Sequence, residues 1–151
     1  MTDPKQAHAF EDYQRRKRCR IIVMSPICGP FGPMGRLNEI VANKVWSESL
    51  ATALPLAEFC GRTALRQLEL DRDYFNEQPD GSRLYLVEPW PQVRKHCRTC
   101  RRKTDLCQMD DVIKYHGHRP RVRRELWASS ELLLSGFDDT LCGDSQRCDG
   151  R

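Results

Sequence analysis

Residues 20–35, RIIVMSPICGPFGPMG, join an apolar, β-branched run to a loop that is rich in glycine and proline. The run covers residues 21–24. An apolar run of this length between turn residues predicts a buried strand, which we place at residues 20–25. Cys28 follows the end of that strand. Because open α/β sheets place their chemistry beyond the carboxyl ends of their strands, Cys28 is the first candidate functional residue.

The rest of the chain predicts an α/β fold built from short elements. We expect helices over residues 9–18 and from residue 47 onward, the second with a kink or break at Pro55. An irregular loop is expected at 26–36, strands at 74–78, 104–109 and 123–128, an extended piece at 84–87 and a helical turn at 91–95. Ser129 or Ser130 is expected to cap a last short helix. The first two strands and the helix between them predict a βαβ unit with parallel strands.

The length of 151 residues fits one domain or a piece of a larger one. We divide it into a frayed or helical N-terminal extension (1–19), an α/β domain fragment (20–135) and a flexible tail (136–151). No apolar run approaches the roughly 18 residues of a membrane span, and no signal-peptide pattern opens the chain. We therefore expect an intracellular protein, nuclear or cytoplasmic, without a membrane partner; the sequence does not specify an oligomeric state.

Basic residues are clustered, although 25 Lys and Arg against 21 Asp and Glu leave a net charge of only +4. The clusters lie within residues 15–20, 94–103 and 119–124. Such runs attract phosphate groups, or else form solvated faces. Trp90, Tyr115 and Trp127 lie among them and could stack on bases. Nucleic-acid binding without catalysis, with DNA as the partner, is therefore one hypothesis.

The chain has eight cysteines, and without a sign of export we expect them to be reduced. Cys97 and Cys100 have the spacing of a metal knuckle, and Cys107 lies seven residues further on. Zinc would need a fourth ligand. The residues available for it are His96, His116, His118, Cys142 and Cys148. We assign no metal, and keep zinc at Cys97, Cys100 and Cys107 as the alternative to free thiols.

The predicted βαβ unit brings Cys28 and Glu77 together at one edge of the sheet, because each lies at or near the carboxyl end of one of its two parallel strands. A thiol and a carboxylate at neighbouring strand ends can serve as a nucleophile and an acid or base. The alternative is structural: a small buried cysteine and a glutamate held in a salt bridge. A zinc deaminase is excluded, because the chain contains no His-x-Glu motif.

Five segments occur in an order that resembles a known family. They are VMSPIC (23–28), FGPMGRLN (31–38), FNEQP (75–79), DLCQ (105–108) and RPRVRRELWASS (119–130). Over about residues 20–135 the chain resembles the catalytic half of the DNA cytosine-carbon-5 methyltransferase superfamily. The most similar forms are the divergent ones in phage genomes and in copia-type retroelement (retrotransposon) polyproteins of unicellular algae. The resemblance implies a partial Rossmann-like, methyltransferase-type fold: a mostly parallel sheet with flanking helices.

The resemblance also implies roles for individual residues. In that superfamily the cysteine attacks carbon 6 of a flipped-out cytosine, and the glutamate holds and protonates nitrogen 3. A methyl group then passes from S-adenosylmethionine to carbon 5. Carried over, Cys28 is the nucleophile and Glu77 the acid. Gln108, with Arg121 or Arg123, positions the base and its phosphates.

One departure from the family concerns the cofactor. The glycine-rich cofactor loop of the family should precede Arg20, yet the 19 residues before it contain no glycine. We therefore expect no cofactor in this chain, with S-adenosylmethionine bound only by an intact form. The leading hypothesis is a degenerate, mobile-element-derived methyltransferase-like domain whose status as an enzyme the sequence leaves open. The alternative is a basic nucleic-acid-binding module, with zinc as an optional stabiliser.

Overall fold

Four strands form one sheet in the computed structural model, which describes residues 3–108 and 122–142. In chain order they are β1 (Ile21–Met24), β2 (Asp73–Pro79), β3 (Cys100–Asp105) and β4 (Arg123–Ala128). Their spatial order is β1-β2-β4-β3. β1 and β2 are parallel, whereas β4 is antiparallel to both β2 and β3. The chain is thus mixed α/β.

The expectation of a mostly parallel sheet is wrong, because two of the three described strand pairs are antiparallel. β1, β2 and β3 point the same way, but β4 lies between β2 and β3 and runs against both. Among the described strands only β1–β2 is therefore a parallel ladder. Parallel neighbours need a long crossover, usually helical, and two helices supply it between β1 and β2.

Helices flank this sheet. They are α1 (Pro4–Lys17), α2 (Pro33–Val41), α3 (Asn43–Glu69), α4 (Trp90–Lys95) and α5 (Glu131–Leu134). Asp3 caps α1 by accepting a hydrogen bond from the Lys5 amide, so α1 begins five residues earlier than expected. Ser130 caps α5 in the same way, as expected. No helix in these described ranges is long and apolar enough to cross a membrane.

The helix α2 occupies part of the stretch that was expected to be an irregular loop. Gly32 precedes it in an extended conformation, and Pro33 begins it, where proline is favoured. Gly35 lies inside the helix. Glycine is required there because a Cβ atom would come within 2.4 Å of the Pro30 carbonyl oxygen. The glycine that suggested a loop is needed for close packing. α3 is also continuous through Pro55, so the expected break there is absent.

Two apolar clusters hold the layers together. The larger lies between the sheet and α3, and it includes Ile22, Tyr74, Trp90 and Trp127. The smaller joins β4 to α5 through Leu126, Ala128 and Leu134. Successive residues of a strand point to opposite faces of the sheet. Trp127 therefore packs into the larger cluster on one face, and Leu126 and Ala128 pack into the smaller cluster on the other. The sheet therefore buries apolar side chains on both faces.

Two local expectations near the middle of the chain are wrong. Residues 84–87 were expected to be extended, but Arg83–Leu86 forms a 3-10 turn that Ser82 caps through the Leu84 amide. β3 covers Cys100–Asp105 rather than 104–109, and a second 3-10 turn, Leu106–Gln108, follows it. A third 3-10 turn, Ser135–Phe137, follows α5. β4 has the expected bounds.

Candidate functional site

The parallel register of β1 and β2 sets the geometry at their carboxyl ends. Met24 is opposite Asn76, so the next residues, Ser25 and Glu77, meet at the same edge of the sheet. The Ser25 hydroxyl donates a hydrogen bond of 2.8 Å to the Glu77 Oε2 atom. The Gln78 side-chain amide donates to the Pro26 carbonyl oxygen at 2.9 Å. These two contacts fix the start of the Cys28 loop against the end of β2.

Cys28 lies in a tight turn beyond β1. The amides of Phe31 and Gly32 donate to the Cys28 carbonyl oxygen at 3.0 and 2.9 Å, which orients the turn. The thiol is free and half-buried. It lines a cavity of about 500 Å³, here named the Cys28 cavity, whose walls also include Gly32, Asp80 and Arg124. A free thiol at the wall of a cavity can meet a ligand.

Arg124 connects this cavity to Glu77. Its Nε atom is 3.1 Å from the Glu77 Oε1 atom, and the same side chain lines the Cys28 cavity. Glu77 is not among the described residues that line the cavity. Each Glu77 oxygen thus has one donor, Ser25 or Arg124. Because a carboxylate has about four acceptor positions, Glu77 keeps capacity for an N–H donor of a ligand.

Arg123 has a structural partner. Its Nε and an Nη donate to the two carboxylate oxygens of Asp105, each at 3.0 Å, and Asp105 is fully buried. The Cys142 amide also donates to Asp105, at 2.9 Å. Arg123 was expected to position a base and its phosphates; it lines the Cys28 cavity, but its guanidinium is held by Asp105. Arg121, the other expected residue, lies outside the described part of the chain.

Gln108 lies outside the described lining of the Cys28 cavity. It ends the 3-10 turn after β3, and β4 separates β3 from β2. Its amide nitrogen lies 3.8 Å from the Cys107 sulfur, and it is not one of the described residues that line the Cys28 cavity. Its predicted role in positioning a base therefore has no support from the geometry.

The cysteines expected as zinc ligands do not come together. Cys97 is exposed, Cys100 is half-buried and Cys107 is buried. Within residues 3–108 and 122–142, no group of three His, Cys, Asp or Glu side chains is placed to hold a metal ion. The other ligands considered, His116, His118 and Cys148, lie outside these ranges. Cys142 is disulfide-bonded, so the expectation of reduced thiols fails at that residue.

Two of the three aromatic residues proposed for base stacking are core residues. Trp90 is fully buried and donates its indole N–H to the Ala57 carbonyl oxygen at 2.9 Å. Trp127 is 7% exposed and donates to Glu125 at 2.8 Å. Both rings are therefore unavailable for stacking on a base. Tyr115 lies among the residues that the structure leaves undescribed.

Sequence reasoning missed Ser25 and Arg124. Ser25 could have been found, because the predicted parallel pairing of the two strands brings their ends together, and in the observed register, with Met24 opposite Asn76, Ser25 lies beside Glu77. Arg124 could not have been found, because the sequence does not show which of the two adjacent arginines, Arg123 or Arg124, faces Glu77. Comparisons of the chain with models of protein families, with curated proteins and with solved structures give no match. The geometry of the site and the five sequence segments are therefore the observations that bear on function.

Proposed function

We propose that this chain is a methyltransferase-like domain, related to DNA cytosine methylases and derived from a mobile element, that handles a base but lacks transferase activity of its own. One observation carries the proposal. Arg124 lines the cavity beside the Cys28 thiol and also pairs with Glu77, whose second oxygen accepts from Ser25. The parallel β1–β2 pair, with its helical crossover and its site beyond the strand ends, supports a partial Rossmann-like origin.

The arrangement suits recognition of a flipped cytosine. A cavity of about 500 Å³ is within the size range of small-molecule sites, roughly 300–1,000 Å³. In the proposed step, the Cys28 thiolate forms a bond from sulfur to carbon 6 of the ring. The displaced π electrons move into the ring toward nitrogen 3, which takes up a proton that water supplies through the Glu77 carboxylate, the group that Arg124 holds next to the cavity. Arg124 positions the Glu77 carboxyl and borders the base.

The described residues do not fit S-adenosylmethionine. That cofactor needs a strand followed by a glycine-rich loop whose amides cradle it. Before β1, the described chain forms the helix α1 and a short bend, with no glycine. The proposed step at Cys28 therefore involves no bound cofactor. Without a methyl donor the thiol adduct reverses, because elimination of the thiolate restores the aromatic ring.

The test is a trapping experiment with a single-stranded oligonucleotide that contains 5-azacytosine, whose ring nitrogen makes carbon 6 more electrophilic and therefore shifts the reversible addition toward the adduct. Intact-protein mass spectrometry should show one adduct, lost in Cys28→Ser and weakened in Glu77→Gln. The matched control is Cys97→Ser, because Cys97 is a free and exposed thiol that does not line the Cys28 cavity. An adduct that survives Cys28→Ser, or none in the wild type, contradicts the proposal. Equilibrium dialysis should show no retention of labelled S-adenosylmethionine; micromolar binding contradicts the loss of the cofactor.

The second candidate function is a basic nucleic-acid-binding module without catalysis. A second cavity lined by four arginines favours it. The two candidates differ at Cys28, which the first requires as a nucleophile and the second does not use. Nucleic-acid binding together with an inert Cys28 would favour this second candidate. The zinc stabiliser has no support within the described ranges.

A further inference from the structure

A cavity of about 380 Å³, here named the arginine cavity, is lined by four arginine residues. They are Arg36 of α2, Arg83 of the first 3-10 turn, Arg94 of α4 and Arg101 of β3. The same segments that border the Cys28 cavity reach this one. Residues 33–34 and 79–80 line the Cys28 cavity, while residues 36 and 81–83 line the arginine cavity. The two cavities are therefore neighbours.

Charge in the arginine cavity is not balanced. Arg83 pairs with Glu39 at 2.6 Å, and Arg101 pairs with Glu125 at 2.6 Å. Arg36 and Arg94 have no carboxylate partner among the residues that the structure describes. Four guanidinium groups against two carboxylates leave an excess of two positive charges. Such an excess in a concave site concentrates anions.

Two of the arginines are held in place by an aromatic ring. The guanidinium carbons of Arg94 and Arg101 lie 5.2 and 5.6 Å from the centre of the Trp127 ring. Trp127 is itself fixed by the hydrogen bond from its indole N–H to Glu125, a buried carboxylate. Cation–π contact orients a guanidinium without using its N–H donors. Arg94 therefore keeps its donors for a ligand, in the fork geometry that matches phosphate oxygens.

We propose that the arginine cavity binds the phosphate groups of a single nucleic-acid strand whose base enters the Cys28 cavity. The choice of nucleic acid rests on the proposed function. Phosphate rather than base is the ligand, because the ring of Tyr85, which lines the cavity, and the ring of Trp127, which contacts Arg94 and Arg101, are buried and offer no stacking surface. Two uncompensated charges match two adjacent phosphodiesters, each with one negative charge.

The experiment measures binding of a fluorescent single-stranded oligonucleotide by anisotropy across a salt series. The test variant is Arg36→Gln/Arg94→Gln. The matched control, Arg16→Gln/Arg20→Gln, removes the same charge from the exposed first basic run. Each phosphate contact to a single strand contributes a salt slope of about 0.7. The test variant should therefore bind about 25-fold more weakly at about 0.1 M salt, with a slope shallower by about 1.4.

The control variant should lose much less affinity than the test variant. Equal losses in both variants would show attraction to overall charge and would overturn the proposal, as would no binding by the wild type. A site for free phosphate alone would also overturn it: inorganic phosphate would then raise the unfolding temperature of the wild type, and the oligonucleotide would not bind. All four side chains in the two variants are exposed, and unfolding curves check that both proteins are folded.

The two proposals fail in different ways. The adduct at Cys28 and the salt-dependent affinity are separate measurements, because the proposed phosphate contacts do not involve the thiol. Loss of the 5-azacytosine adduct with the arginine effect intact would therefore remove only the proposed function. An adduct at Cys28 together with unchanged oligonucleotide affinity in Arg36→Gln/Arg94→Gln would refute only the proposed phosphate binding in the arginine cavity.

Discussion

Replacing Arg123 by glutamine should destabilise the fold, whereas the same change at Arg124 should have a much smaller effect. Arg123 donates twice to Asp105, a carboxylate that is 0% exposed. Arg124 pairs with Glu77, and these side chains are 24% and 28% exposed. Adjacent residues of one strand point to opposite faces, so these neighbours meet different surroundings. One arginine is therefore structural and the other belongs to the candidate site.

The structure sets the size of the effect. Removing one partner of a buried ion pair costs about 3–5 kcal/mol, because the other charge stays buried. The Arg123 side chain is 38% exposed, so water reaches the pair, and the Cys142 amide still donates to Asp105. We therefore expect a loss of about 2–3 kcal/mol for Arg123→Gln. The partly exposed Arg124 pair should be worth about 1 kcal/mol or less.

Urea unfolding followed by circular dichroism measures these free energies. For a chain of this size each kcal/mol lowers the melting temperature by about 2–4 °C, so Arg123→Gln should melt about 4–12 °C lower. The double variant Arg123→Gln/Asp105→Asn removes the buried charge together with its partner. It should recover at least half of the loss. Equal losses in Arg123→Gln and Arg124→Gln would refute the division of roles.

Three further predictions concern α3. Gly61→Ala should destabilise by about 1–3 kcal/mol in urea unfolding, although alanine favours helices, because the new Cβ would lie 2.8 Å from Pro89. Pro55→Ala should stabilise by about 1–3 kcal/mol in the same assay, since Pro55 is exposed and alanine restores an amide donor. Burial raises the pKa of Cys60 to about 12, so iodoacetamide at pH 8 should alkylate the exposed Cys97 and spare Cys60, as peptide mass spectrometry can show. Because that pKa is raised above its usual 9.0, the Cys60 contribution to stability should be full below pH 9 and lost between about pH 9 and 12. Unfolding in urea at pH 8 and 10.5 checks this, with Cys60→Ala showing a smaller alkaline loss.

Strong local signals made parts of the fold predictable. β1 is an apolar run between turn residues, and its alternate residues Ile22 and Met24 are buried. β4 ends in a continuous buried run, and Ser130 supplies the cap that begins α5. In each case the pattern and the boundary are encoded within a few residues. Tertiary contacts did not need to be known.

β3 was misplaced because its stability comes from contacts distant in the sequence. Its residues include Arg101, Arg102 and Lys103, a composition without an apolar run. Each of these side chains finds a carboxylate on another element, as Arg101 does at Glu125 and Lys103 at Asp80. β3 is also at the edge of the sheet, where charged side chains are common. Neither the alternation of apolar and polar residues nor the β-propensity of the residues can detect a strand of this kind.

The candidate site was predictable to the extent that register follows from topology. A βαβ unit brings the ends of β1 and β2 together, and this places Glu77 beside the start of the Cys28 loop. The sequence motif RVRR leaves open which arginine faces Glu77, because a shift of one residue exchanges the two faces of a strand. In the structure β4 pairs Pro79 with Arg124, and this register puts Arg123 against Asp105 and Arg124 against Glu77. The identity of the arginine beside the cavity is thus a consequence of strand pairing, and it changes with register even when every residue of the motif is kept.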